Sequence, residues 1–448
     1  MKLHLPEIEI SSDSGFDKEI DIFGLQDFGE RLASLIEKAT DNPVIALDAE
    51  WGEGKTTFIK MWCSYVENVR TEDIGKLNTI YFDAFKNDYQ KDPFLALASE
   101  IHSLFETKEE KEQKKFQEKA SGAIKALARG AIKISVGAAT AGLINSTTLD
   151  SVEKEISNLV AGQVDSLIED RFKNIEKDRL AIDQFKEYLT EISEKFGNGK
   201  PIVFIIDELD RCRPDFALEL IEQVKHLFSV KGFTFLLVTN RTQLEESIKV
   251  KYGQGINATN YLHKFVNLWL NLPPKVSEYA DNRMRFIKKS VGRMTTEGER
   301  IGNLDIIEIF GELSKIYLLS LREIQRMLSY FAILQNMIAS STVTPYIQNI
   351  IALICFLKVS KPDIYKKIKN ISYEHLISEI GLDSIEIEEK NYVLKSFIWF
   401  IKYDLSNTVT RKKMLDNDET FYISPQHGVA DKIIHMVVSW FSSISREY

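Results

Sequence analysis

Four short stretches of the chain carry runs of apolar residues that read as strands. They are "PVIALD" (43–48), "LNTIYFDAF" (77–85), "KPIVFIIDELDR" (200–211) and "GFTFLLVTN" (232–240). Runs of this length that are apolar on both faces predict strands buried inside a parallel sheet. Between and around them the period changes to about 3.6 residues. Phe28, Leu32, Leu35 and Ile36 fall on one face of a helix in "DIFGLQDFGERLASLIEKA". "TTFIKMWCSYVENV", "PDFALELIEQVKHLFS" and "RTQLEESIKVKYG" read as helices after the first, third and fourth runs. "DPFLALASEIHSLFE" (92–106) opens with Asp92 as a cap and Pro93 at the first helical position. Strands alternating with helices predict an α/β fold with a doubly wound parallel sheet.

The rest of the chain is patterned for helices. Residues 1–20 read as an irregular lead-in, and 106–119 as the mixed-charge face of a solvated helix. In 121–148 small residues accumulate. Ile124, Leu127, Ala131 and Ile134 would form one face of a helix, and Lys125, Arg129 and Lys133 a basic ridge, although the glycines weaken the helix. That ridge is either a solvated face or a contact for a membrane surface or partner through 121–144. Residues 149–196 return to long amphipathic patterning, and from about 275 onward the strand signal fades. The expected organisation is a core over 1–274, carrying a helical insert at about 87–198, then a helical module over 275–448.

The stretch "AEWGEGKTT" (49–57) lies between the first predicted strand and the helix after it, and fits [AG]-x4-G-K-[ST]. In a strand–loop–helix frame this pattern makes a phosphate cradle, because backbone N–H groups at a helix N-terminus converge on an anion. Gly52 and Gly54 let the backbone approach closely, Lys55 reaches the β- and γ-phosphates, and Thr56 offers a hydroxyl to Mg²⁺. Trp51, Glu53 and Thr57 complete the expected contacts. A phosphate cradle requires an acidic strand end downstream, and "IVFIIDELD" supplies it. Asp207 would hold the metal, and Glu208 would orient and deprotonate the attacking water. The fourth run ends at Thr239 and Asn240. Asn240 is placed either to position that water or simply to cap the next helix.

Composition narrows the rest. The formal net charge of -9 and a pI near 5.5 argue against a surface built for duplex nucleic acid. Three scattered cysteines, with no paired spacing, point to a reducing compartment. No leader-like segment and no apolar run of eighteen is present, so a cytoplasmic protein without transmembrane helices is expected. No Asn-Lys-x-Asp guanine reader occurs, which favours ATP over GTP.

Several segments together resemble the KAP family of P-loop NTPases. These are the Trp-Gly-x-Gly-Lys-Thr loop, "FIIDELDRCRP", "YFDAFKNDYQKDPFLAL" (with Asp83 and Phe85 where the family usually has Asn and Trp), "YLHKFVNLWLNLP" (261–273) and "SLREIQRML" (320–328). They occur in order from about residue 20 to 330. The resemblance implies an NTPase related to the AAA+ and STAND groups with a switch or motor role. In some members that role is in prokaryotic defence against bacteriophage, beside an effector protein. Many members carry two membrane helices between the P-loop and the acidic strand, but here that insert is too short and too polar in its apolar part to span. The same logic makes Arg211 and Arg213 candidate arginine fingers reaching a neighbouring subunit, which implies a homo-oligomer. It makes Arg322, with Arg326 four residues on, a candidate sensor of the γ-phosphate. Each could instead be an ion-pair partner. Phe23 or Leu25, in "DIFGLQDF", would contact the adenine or pack in the core. Two rivals accompany the ATPase reading: a nucleotide-binding scaffold that hydrolyses little, and a nucleic-acid-stimulated ATPase.

Overall fold

The apolar runs fold as expected into parallel strands. β1 (Val44–Asp48), β2 (Thr79–Asp83), β3 (Ile202–Asp207) and β4 (Phe233–Thr239) form one sheet with a fifth strand, β5 (Leu268–Asn271), in the order β2-β3-β4-β1-β5. Every neighbouring pair is parallel. The computed structural model describes residues 1–71, 75–105, 109–128, 161–273, 280–296, 305–337, 344–388, 390–417 and 432–444.

All residues of β3 and β4 are buried, which is why these runs lack alternation: helices cover both faces of the sheet. Ile45, Leu47, Val203, Ile205, Leu236 and Val238 face one core with Phe58 and Trp62. Val44, Ala46, Phe82, Phe204, Ile206 and Phe235 face the other. The first core is made with helices α1 (Gln26–Lys38) and α2 (Lys55–Ser64). Leu35 was expected on the buried face of α1 but is 39% exposed; Gly29, Leu32, Ala33 and Ile36 make the buried stripe. β5 is absent from the sequence expectation. It pairs only with β1, at the sheet edge, and its half-exposed residues give it no continuous apolar run.

β2 ends at Asp83, earlier than expected, because the Asp83 carboxylate accepts from the Lys86 N–H at 2.9 Å and caps the short helix α3 (Ala84–Asn87). α4 (Pro93–His102) starts as predicted, with Asp92 capping and Pro93 first. α5 (Glu110–Ala128) and α6 (Ala161–Phe196) then pack against each other before β3. Phe116 meets Phe185, and the Tyr188 hydroxyl donates to the Glu112 carboxylate at 2.7 Å. Phe116, Phe185 and Tyr188 join the same core as Phe204, so these helices are fused to the sheet. Lys125 is exposed on α5, while Arg129, Ala131, Lys133 and Ile134 lie outside the described residues. After β3 come α7 (Pro214–Gln223), α8 (Arg241–Tyr252) and α9 (Ala258–Leu262).

The remaining helices are α10 (Ala280–Met294), α11 (Asp305–Ile316), α12 (Leu321–Met337), α13 (Pro345–Ser360), α14 (Pro362–Lys367), α15 (Tyr373–Ile380), α16 (Tyr392–Leu405), α17 (Thr408–Asn417) and α18 (Ile433–Ile444). They share one apolar core, with α13 buried along nearly its whole length at the centre. At its far side the Asp404 carboxylate caps α18 from a distant position in the chain. It accepts from the Ile433 N–H at 2.7 Å, the Ile434 N–H at 3.3 Å and the Tyr346 hydroxyl at 2.5 Å. Among the described residues no helix is long and apolar enough to cross a membrane.

Candidate nucleotide-binding site

The carboxyl ends of the parallel strands, where open α/β sheets bind ligands, bring the loop after β1 together with the acidic end of β3. β1 delivers the chain at Asp48, and the loop Ala49–Gly54 turns it into α2. Gly52 and Gly54 take φ of +85° and +84°, conformations costly for other residues. No side chain caps α2, so the first-turn N–H groups and the positive end of the helix dipole face the loop's concavity. The Lys55 ammonium donates to the carbonyls of Ala49 and, at 3.2 Å, Glu50. Burial holds its pKa below the usual lysine range, against the opposing pull of Asp210, Asp48 and Asp207.

Gly52 has a second constraint. A Cβ there would lie 2.6 Å from the Cβ of Arg322 and 3.2 Å from its amide nitrogen, so the loop is pressed against the first turn of α12. Gly381 also has positive φ, +73° with ψ +21°, but an added Cβ there would meet nothing within 4 Å. Gly381→Ala should therefore show the backbone cost alone, about 1–2 kcal/mol. Gly52→Ala should lose measurably more in chemical denaturation, since it must also displace α12.

Asp207, 1% exposed, ends β3 opposite Asp83. Its carboxylate accepts from the Tyr81 hydroxyl at 2.9 Å, from the Glu208 N–H at 2.8 Å and from the Thr56 hydroxyl. Burial raises its pKa while these donors pull it back down. The P-loop helix and the acidic strand thus meet through Thr56 and Asp207. Glu208 follows with φ +58°, a left-handed conformation uncommon for a side-chain-bearing residue and the kind of strain found at functional sites. Its carboxylate lies 2.9 Å from the Arg211 guanidinium. Burial raises the Glu208 pKa, Arg211 lowers it, and Asp207, Asp83 and Asp210 add to the rise. Asp210 accepts from the indole N–H of Trp51, which leaves that ring 41% exposed beside the loop.

These groups line one cavity of about 410 Å³. Residues Glu50–Thr57 form its floor, Asp207, Glu208, Asp210 and Arg211 one wall, and Leu321, Arg322 and Gln325 another. The sequence matches the KAP family P-loop domain over residues 26–338, which covers the loop, the acidic strand and α12. The chain belongs to the KAP family of P-loop NTPases. Among solved structures, two of the Aeropyrum pernix ORC2 protein are similar at low identity. The ADPNP-ADP complexes are 11% identical, with 94% of this chain and 86% of that chain covered and a TM-score of 0.38. The ADP form is 12% identical, with 98% and 87% covered and a TM-score of 0.36. The assignment rests on the family match and not on these. No curated protein matches the chain.

Of the residues singled out in this KAP-family sequence, Trp51, Gly52, Glu53, Gly54, Lys55, Thr56, Thr57, Asp207, Glu208, Arg211, Arg322 and Phe23 all line the cavity. Burial, with Arg211 and Arg326 nearby, lowers the Arg322 pKa. Phe23 lines the cavity and also packs on Phe286. Asn240 lies at the end of β4, between the P-loop strand and the acidic strand as expected. Its side-chain oxygen caps α8 by accepting from the Gln243 N–H at 3.2 Å, and its amide donates to Glu50 at 2.8 Å. It is thus a cap that also braces the P-loop. Arg213 instead pairs with Asp88, 3.6 Å away, and donates to backbone carbonyls of Asp88 and Gln90. Tyr81 was missed by the sequence reading. Its position two residues before Asp83, on the strand next to the acidic one, was the available signal.

Proposed function

We propose that this chain is a Mg²⁺-dependent ATPase whose nucleotide state biases the arrangement of its helical parts, a switch or assembly engine and not a metabolic enzyme. The observation that carries the proposal is that Lys55 and Thr56, on the P-loop helix, line one cavity with Asp207 and Glu208, at the end of the acidic strand. A hydroxyl and a carboxylate side by side are the hard oxygen donors that Mg²⁺ selects, and Gly52 and Gly54 keep the loop free of side chains where phosphates approach. Bound Mg²⁺ would neutralise charge on the phosphates. The chain's own residues do the rest. Lys55 releases the carbonyls of Ala49 and Glu50 to reach the β- and γ-phosphates. The first-turn N–H groups of α2 cradle the phosphate oxygens. Glu208 orients water and takes its proton, with Asn240 bracing the loop through Glu50. Arg322 approaches the γ-phosphate from α12. The reading keeps a core over 1–274, with a helical insert at about 87–198, and a helical module over 275–448.

Tyr81 would hold the Asp207 carboxylate in position. Tyr81→Phe should weaken Mg²⁺-dependent ATP binding about tenfold, the lower end of the cost of losing a partner that orients a metal ligand. A Mg²⁺ titration of ATP binding checks this. Metal-free nucleotide binding should stay unchanged.

Arg211 is the second candidate arginine, and its pairing with Glu208 within the same chain favours a second reading, a nucleotide-binding scaffold with little hydrolysis. A base held by a guanidinium hydrolyses slowly until the arginine is drawn away, for instance toward a neighbouring subunit's nucleotide. Family resemblance adds a homo-oligomer and an effector partner in anti-phage defence. The deciding experiment is steady-state ATP hydrolysis by wild type and Lys55→Ala, with particle mass measured with and without ATP. Turnover lost in the variant, with a larger wild-type particle in ATP, supports the switch. ATP binding without turnover supports the scaffold.

A further inference from the structure

The phosphate loop and the acidic strand are tied together by a pair of side chains that neither the cradle nor the base accounts for. The indole N–H of Trp51, in the loop, donates to the Asp210 carboxylate. Asp210 lies in a 3₁₀ turn, Leu209–Arg211, that opens directly after Glu208. Both partners line the nucleotide cavity.

Each partner is a poor choice for packing or for binding. A tryptophan kept for the core would be largely buried, yet Trp51 is 41% exposed. Asp210 is 8% exposed and puts a carboxylate into a cavity suited to phosphates, which it repels. Burial lowers the Lys55 pKa, and of the charges that resist this Asp210 acts most strongly. What the pair supplies is a fixed distance. The left-handed conformation of Glu208, φ +58°, persists only where its surroundings impose it. Behind it, the Asp207 carboxylate accepts the Glu208 N–H at 2.8 Å. Ahead of it, the Arg211 N–H donates to the Glu208 carbonyl at 3.1 Å and closes the turn, which Asp210 fastens to the loop through Trp51.

We infer that Trp51 and Asp210 are a positioning pair, whose hydrogen bond holds the phosphate loop and the turn carrying Glu208 in register, so that γ-phosphate and base meet in the geometry of attack. The inference rests on the ATPase reading above and deepens it. Neither side chain takes a proton or forms a bond in the reaction. A misplacement of reacting groups by about 1 Å can cost about 100-fold in rate, so the pair acts on turnover more than on affinity. The Asp210 charge has the opposite effect on binding, and its removal should tighten the grip on ATP.

The test is steady-state ATP hydrolysis beside calorimetric ATP binding for wild type, Trp51→Phe, Asp210→Ala, the double variant and Asp210→Asn. Thermal unfolding of all five is the folding control. Trp51→Phe keeps a ring and loses the donor. It should lower kcat about tenfold, the low end of what a hydrogen bond to a charged group is worth, and bind ATP about as tightly as wild type. Asp210→Ala should lose as much turnover, and the double variant no more than either, because all three lack the same bond. Asp210→Asn keeps an acceptor and drops the charge. It should recover most of the turnover that alanine loses and bind ATP more tightly than wild type. Full turnover in Trp51→Phe would overturn the pair, as would an equal loss of turnover and affinity there. Losses that multiply in the double variant, or an asparagine no better than alanine, would overturn it too. Wild type that binds ATP without turnover would instead remove the ATPase reading, and the role of the pair with it.

Discussion

Replacing Glu208 by glutamine should lower ATP turnover by about 10²–10⁴-fold, the usual contribution of a positioned general base, while ATP binding should persist. The expectation follows from geometry. Glu208 lines the cavity, directly follows Asp207, the proposed metal ligand, and is held in a left-handed backbone conformation that turns it away from the line of β3. Glutamine keeps the shape and loses the proton-accepting oxygen. A steady-state assay beside a binding isotherm checks it, and equal turnover in variant and wild type would remove Glu208 from the mechanism. The acid side of the pH profile carries a second readout. Glu208 must be ionised to accept a proton, so turnover rises with pH through its pKa. Burial raises that pKa and Arg211 lowers it. Removing the guanidinium in Arg211→Ala leaves burial and the neighbouring acids unopposed, so the acid limb moves to higher pH. A limb that stays in place would mean the ion pair does not govern Glu208.

The largest stability effect is expected far from the cavity. Asp404→Ala should destabilise the protein by about 3–5 kcal/mol, as when one partner of a buried charged cluster is removed. Asp404 is fully buried, and its loss strands the Tyr346 hydroxyl and two N–H groups at the start of α18 without an acceptor. It also leaves Arg411, itself buried, without the nearby negative charge. Asp404→Asn keeps an acceptor and should cost less. Urea titration of the three proteins orders them, and an alanine variant as stable as wild type would show that Asp404 is not what anchors α18.

The parts of this molecule that read clearly from sequence are those where local pattern and final environment coincide. β3 and β4 are buried on both faces, so apart from Thr234, Thr239 and the terminal Asp207 every residue is apolar and the runs stand out. The P-loop reads because the chemistry requires glycine, lysine and threonine at fixed spacing beside a helix start. β5 does not read because an edge strand needs only one neighbour and tolerates half-exposed residues. Tyr81 on Asp207, Asn240 on Glu50 and Arg211 on Glu208 are pairings of common residue types, and spacing along the chain carries no mark of who meets whom across strands. Leu35 shows the limit of a helical face drawn from four residues: the stripe runs through Gly29 and Ala33, small residues that a hydrophobic tally passes over. The N-terminal segment is the furthest from legible, since its place depends in part on contacts of Met1 and Pro6 with Asn336 and Arg293, far along the chain.

The press of Gly52 against Arg322 has a thermodynamic consequence. α12 belongs to the core of the helical module, and it meets the phosphate loop with no room for a methyl group between them. A rearrangement of the loop on binding nucleotide therefore does work on α12, and a pull on α12 does work on the loop. Binding linkage is reciprocal. If ATP strengthens a partner's grip on the module by some factor, that partner strengthens the grip on ATP by the same factor. Nucleotide affinity then becomes a gauge for any protein that docks on these helices, readable before the partner's own activity is known.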